Sequence, residues 1–196
     1  MNQDLIPQTV LNWIDGEECE ALTGDTFGKL SPVSGKEICR VARSRVEDVE
    51  KAIQVARRAQ PVWADSTPVS RGDLLHDIAQ AMRKYQEEIA SIVSLETGMS
   101  FKQALGETGG AIAQGEFMAG EGRRLYGRTT TSAVPNKYAM VIRQPLGVAG
   151  LIIAANTPIA NVAWKIFPAL ICGNAAVLKA AEDTPATAWI VGKIAK

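Results

Sequence analysis

Residues 145–188 read PLGVAGLIIAANTPIANVAWKIFPALICGNAAVLKAAEDTPATA, and their order decides the fold. An apolar run at 147–153 ends at a polar turn carrying Asn156. Thr157-Pro158 then opens a helical stretch, because Thr caps helices and Pro suits the first helical position. A second apolar run ends at Lys179, a second polar turn holds Glu182, and Thr184-Pro185 opens another helix. Strand, helix, strand, helix at this spacing predicts two parallel neighbours joined by a crossover. Both strands read as buried runs. The polar turns fall at their carboxyl ends, where open α/β sheets bind ligands.

Working outward, residues 10–14 form a short apolar run followed by the hairpin signal Asp15-Gly16. A turn at 31–36 precedes a short strand at 37–42. Ser44-x-x-Glu47 resembles a capping box; Val46, Val49, Ile53 and Ala56 then predict one buried helix face, ending near Pro61. Ser70-x-x-Asp73 opens a second helix whose stripe runs through Leu74, Leu75, Ile78, Met82, Tyr85, Ile89, Ile92 and Val93, with Gly98 as its left-handed cap. Residues 101–126 read as helix despite six glycines, since small residues let helices approach closely. Residues 129–134 read as a polar linker, and 136–145 as an alternating strand.

The 21 basic and 21 acidic side chains balance, which gives no electrostatic reason to expect nucleic acid or an acidic membrane surface. Asn156, Pro158, Asn161 and Lys165 interrupt the apolar C-terminal region before a membrane span accumulates. The N-terminus has no basic start or apolar core of signal-peptide length, so a cytoplasmic protein is expected. Cys19, Cys39 and Cys172 are far apart and His76 is the one histidine, so no metal site is expected and no Ser/His/Asp set can be assembled. Cys172, between Ile171 and Gly173, reads as a small buried hydrophobe rather than a nucleophile.

Three positions admit a chemical reading beside a structural one. Asn156 serves either as a turn residue or as an amide donor to a developing oxyanion. Lys179 and Glu182 form either a solvated pair or a clamp on the two hydroxyls of a ribose. In the second case the carboxylate repels a 2′-phosphate and favours NAD over NADP, and the N-terminus of the following helix is free to face an anion. Lys165, in Trp164-Lys165-Ile166-Phe167, either packs its stem with its head in water or joins a proton path. No GxGxxG or P-loop sequence is present.

Several motifs resemble the aldehyde dehydrogenase superfamily in register. They are Pro145-x-Gly147-Val148, Ile152-Ile153-x-x-Asn156-x-Pro158, Ala163-Trp164-Lys165-x-x-Pro168-Ala169-Leu170-x-x-Gly173-Asn174, and Val177-x-Lys179-x-x-Glu182-x-Thr184-Pro185. Upstream, Trp13-Ile14-Asp15-Gly16, Ser31-Pro32 and Leu95-Glu96-Thr97-Gly98 agree. The resemblance implies an α/β fold: the N-terminal part of the aldehyde dehydrogenase fold, an incomplete Rossmann-like parallel sheet with preceding helices. It implies a cofactor-binding part over 1–134, a strand segment of the oligomerisation domain over 135–147, and the start of the NAD-binding unit over 148–196.

The implied activity is oxidation of an aldehyde to an acid with NAD or NADP, through a thiohemiacetal on a cysteine expected beyond Lys196. In that scheme Asn156 helps hold the oxyanion, Lys179 and Glu182 contact the adenosine ribose, and Ile152, Ile153 and Ala154 mark the strand end along which the cofactor lies. Lys165 matches a lysine given a charge-relay role. The family often has Pro and an aromatic residue where Ala154 and Ala155 stand, a departure expected to widen the substrate tunnel. The isolated chain is expected to be inactive and the complete protein to form a homo-oligomer. The alternative is a non-catalytic binding or assembly module, or one half of a split dehydrogenase.

Overall fold

The computed structural model describes residues 5–196. It opens with short strands β1 (Thr9–Val10), β2 (Asn12–Ile14), β3 (Glu17–Cys19), β4 (Thr26–Leu30) and β5 (Glu37–Ala42). The apolar run at 10–14 splits: β1 pairs parallel with β5, whereas β2 turns back on β3. Ile14 and Glu17 close that hairpin around Asp15 and Gly16, both at positive φ (62° and 74°), as a type I′ turn requires.

Four helices follow: α1 (Val46–Asp65), α2 (Pro68–Lys84), α3 (Gln86–Thr97) and α4 (Phe101–Glu121). The expected box on Ser44 and Glu47 is not the one formed. Arg45 is the N-cap, and Asp48 accepts from the amides of Arg45 and Leu22, each at 2.8 Å, while Ser44 donates to Asn12 at 3.0 Å. Val46 and Val49 are exposed; the buried positions of α1 are Asp48 and Ala56. The helix also runs past Pro61 to Asp65. The indole of Trp63 donates to the Leu170 carbonyl at 2.9 Å, which anchors that last turn.

The second helix begins at Pro68, capped by Thr67, whose hydroxyl accepts from the Ser70 amide at 3.1 Å. The single long helix expected through 70–97 breaks at Tyr85 (φ −104°, ψ 23°) into α2 and α3. The apolar repeat runs unbroken across this bend, so periodicity alone could not reveal it. The bend lets α3 pack on both α4 and α6, and Leu75, Met82, Ile89, Ile92 and Val93 are fully buried while Leu74 and Tyr85 face out. Gly98 holds the left-handed cap at φ 75°. In α4, Gly115 permits closest approach: a Cβ there would stand 2.7 Å from the ring of Phe167.

Residues 129–131, expected in a linker, are strand, and 132–134 belong to the turn that follows. Strand β6 (Arg128–Thr131) pairs antiparallel with β7 (Tyr138–Val141), from Arg128↔Val141 to Thr131↔Tyr138. The expected strand at 136–145 shortens to Tyr138–Val141, and every residue of the two strands is exposed. The chain then forms β8 (Val148–Ile152), α5 (Pro158–Ile171), β9 (Ala175–Lys179) and α6 (Pro185–Ala195). β8 and β9 pair in parallel from Val148↔Ala175 to Ile152↔Lys179, with α5 as the crossover. Neither strand is fully buried, and Gly150 and Ile152 are exposed. A two-stranded sheet has an open edge on each side, so an apolar sequence does not by itself guarantee cover.

The main core joins Leu75, Met82, Ile89, Ile112, Ile159, Phe167 and Ile171, which bind the helical layer to α5. Arg71 ties the ends together from within: its guanidinium donates to the Ile171 carbonyl at 3.0 Å and to carbonyls at the end of α1. Cys172, expected to be buried, is exposed, because it is the C-cap of α5 where the chain turns out through Gly173 (φ 81°). Among the described residues no helix is long and apolar enough to cross a membrane.

Candidate functional site

Two polar corners leave the carboxyl ends of β8 and β9, whose last residues, Ile152 and Lys179, are register partners. At the first corner Ile153 is buried, Ala154 is exposed and Ile152 is 71% exposed, an apolar side chain at the strand end with no cover. Asn156 is exposed, and its Oδ1 accepts from Asn161 Nδ2 at 3.3 Å. The same Asn161 amide reaches the Ala154 carbonyl at 3.2 Å and the Thr157 hydroxyl at 3.3 Å, so one side chain of α5 sets the shape of this corner. With Oδ1 engaged, the Asn156 NH₂ makes no hydrogen bond among the described residues and is left to serve as a donor. Lys165 is half-buried one helical turn beyond Asn161 and makes no ion pair among the described residues.

At the second corner Lys179 and Glu182 lie 3.3 Å apart, and the ammonium also donates to the Ala180 carbonyl at 3.1 Å. Both side chains are well exposed. The Glu182 backbone amide, and then the Lys179 ammonium, hold the Glu182 carboxyl below the usual range, so it is an anion at neutral pH. The corners share a groove of about 550 Å³ lined by Ala155 and Asn156 from the first, Asp183 and Thr184 from the second, and Lys29 and Glu96 below. Lys179 and Glu182 stand outside that lining. The structure thus brings Asn156 together with the Asp183–Thr184 end of the second corner, and leaves the exposed Lys/Glu couple outside the groove.

The expectation of a free helix N-terminus is overturned. Glu96 reaches from α3 to α6 and accepts from the amides of Ala186 (2.7 Å) and Thr187 (2.8 Å) and from the Thr187 hydroxyl (2.7 Å). A carboxylate already fills the place an anionic ligand would take. The same device recurs at α5, where Glu107 of α4 accepts from the amides of Ile159 (3.0 Å) and Ala160 (3.2 Å). Neither glutamate is marked as functional by a motif of its own. The available signal was a charge on an apolar stripe: Glu96 follows Ile92 and Val93, and Glu107 follows Ala104, each at helical spacing.

Glu96 is 1% exposed, and burial pushes its carboxyl up to about 7, although the Thr187 hydroxyl, the two amides and Lys29 each pull it down. The folded state therefore holds this proton more tightly than the unfolded chain, whose ordinary value is 4.5. The associated stability is fully present below pH 4.5 and is lost as pH rises toward 7. Relative to Glu96→Gln, which carries no titrating proton, the wild type is expected to lose about 3 kcal/mol across that window. Paired urea titrations at several pH values check this; parallel pH profiles would refute it.

The comparisons with known proteins follow the same lines. The sequence profile of the aldehyde dehydrogenase family matches residues 19–196. The α-ketoglutaric semialdehyde dehydrogenase of Bacillus subtilis is 37% identical over 180 residues, covering 91% of this chain and 37% of that protein. The NADP(+) succinate-semialdehyde dehydrogenase of Escherichia coli is 33% identical, covering 93% of this chain and 38% of its own length. The structure superposes on betaine aldehyde dehydrogenase of Staphylococcus aureus in complex with NAD+ at a TM-score of 0.94 and 28% identity, over 98% of this chain and 39% of that one. The chain spans less than two fifths of the length of these two curated relatives.

Proposed function

Because this chain belongs to the aldehyde dehydrogenase family, we propose that it is the N-terminal portion of an NAD(P)-dependent enzyme that oxidises a small aldehyde to a carboxylic acid. The supporting observation is the pair of polar corners at the ends of adjacent parallel strands, with Ile152 and Lys179 in register. The residues fit a dinucleotide. Glu182 offers an anionic acceptor for ribose hydroxyls and Lys179 a neighbouring donor. The bare side chain of Ile152, with Ile153 and Ala154 beside it, offers an apolar rest at the strand end. When bound, the cofactor accepts the hydride. The chain's own contribution is to seat it and to present the Asn156 amide to a carbonyl oxygen gaining negative charge. Lys165, one turn from Asn161 on α5, is assigned to proton movement near that corner. Segments 1–134, 135–147 and 148–196 are assigned to the cofactor-binding part, the oligomerisation strand and the NAD-binding unit, and the enzyme is assigned to the cytoplasm.

A negative Glu182 disfavours the 2′-phosphate of NADP, so NAD is the proposed cofactor. In the full-length protein, Glu182→Gln is expected to weaken NAD binding about tenfold and to narrow the preference over NADP. Dissociation constants for both dinucleotides test this, and an unchanged ratio would count against the clamp. The overall reading is tested by aldehyde-dependent reduction of NAD and NADP on a broad aldehyde panel. Inactivity on all of them would end it.

The β6–β7 hairpin favours a second aspect. Tyr138 is 81% exposed, and Met140, Val141 and Ile142 are also bare. An exposed strand edge with apolar side chains is a template for pairing. We assign it to association between copies, whether the chain works as part of a dehydrogenase or as an assembly module. Light scattering on the full-length protein reads the subunit number directly.

A further inference from the structure

The two strand-to-helix corners are built alike. Each helix opens Thr-Pro: Thr157-Pro158 for α5 and Thr184-Pro185 for α6. Neither threonine caps its helix with its side chain, and proline has no N–H to give. That leaves the second and third amides of each helix to be satisfied from outside. In both cases a glutamate from the preceding helical layer satisfies them. Glu107 is 52 and 53 residues away in sequence, and Glu96 is 90 and 91 residues away. Such long-range contacts fix a helix start relative to another layer of the fold, which a local cap cannot do. The glutamates use their oxygens differently. Glu107 serves both amides through one oxygen, whereas Glu96 divides Ala186 and Thr187 between two.

We infer that Glu107 and Glu96 are positioning residues that set the two corners separately: Glu107 places the Asn156 corner, and Glu96 places the corner carrying Lys179, Glu182 and Asp183. The inference rests on the dehydrogenase reading for its consequences in catalysis and on the hydrogen-bond pattern alone for its structural content. Neither carboxylate touches a reacting group. Each acts through the helix whose start it holds, and the two effects separate because the corners have different tasks.

The test uses the full-length protein with Glu107→Ala, Glu107→Gln, Glu96→Ala and Glu96→Gln. Glu107→Ala is expected to lower kcat about tenfold and leave the NAD dissociation constant within about twofold. Glu107→Gln retains the one oxygen that serves both amides and is expected to restore kcat. Glu96→Ala and Glu96→Gln are both expected to weaken NAD binding about tenfold, because glutamine has no second acceptor for Thr187. Equal loss of kcat and affinity in all four, tracking thermal stability, would overturn the inference. Amide hydrogen exchange decides the structural part independently. Protection at Ile159 and Ala160 should fall in Glu107→Ala and recover in Glu107→Gln, while Thr187 should lose protection in both Glu96 variants. Unchanged protection would overturn the inference. A wild type that binds neither NAD nor NADP would sink the dehydrogenase reading, and the exchange data would then judge the positioning claim by themselves.

Discussion

Asn156→Ala in the full-length protein is expected to reduce kcat by about 10²–10³-fold while leaving cofactor affinity close to wild type. The expectation comes from the way the corner is held. Asn161 occupies Oδ1 of Asn156, and the helix carrying Asn161 is packed into the main core through Ile159, Phe167 and Ile171. That contact leaves the NH₂ available as a donor, and a donor held at the corner reorganises little as charge develops. Alanine removes the donor and leaves the backbone of the corner in place. Asn156→Asp is the sharper companion, since it keeps the shape and puts a negative charge where an oxyanion would form. Steady-state kinetics that show the two variants turning over at the wild-type rate would remove Asn156 from the chemistry.

The second large effect concerns stability. Phe167 is 1% exposed, and its ring lies against the backbone of Gly115 where α5 meets α4. Phe167→Ala is expected to cost about 3–5 kcal/mol in urea unfolding, the usual range for deleting a buried aromatic ring. Gly115→Val is expected to cost about 1–3 kcal/mol for the opposite reason, because the added atoms meet the ring at once. Because the two residues touch, the double variant Phe167→Leu with Gly115→Ala should lose less than the sum of its single changes. Strict additivity would show that the glycine is not there to admit the ring.

These two residues also mark how far the sequence could be read. The order of strands and helices after Pro145 was legible, since each turn carries its own Pro, Gly or Thr and each apolar run has a length suited to one element. The glycines of 101–126 were legible as a close helix contact, but not which ring would fill it, because Phe167 is 52 residues further on. The break at Tyr85 was hidden by an apolar repeat that continues across it. The first strand of the hairpin at 128–141 is not legible in the sequence, because Arg-Thr-Thr-Thr has no buried face and so no alternation to detect. Family membership, by contrast, was carried by motifs in register and needed no coordinates.

The amino-acid order by itself determined the α/β unit, the family, and the identities of the side chains at the two corners, since these depend on local turn chemistry and on spacing along the chain. Tertiary structure alone decided that Glu96 and Glu107 hold the starts of α6 and α5, that Asn161 engages the Asn156 Oδ1, and that Asp183 and Thr184, rather than Lys179 and Glu182, share a groove with Asn156. The physical reason is distance. A glutamate finds its amides across 50 to 90 residues only once the helices have packed, and no periodicity or motif encodes that meeting.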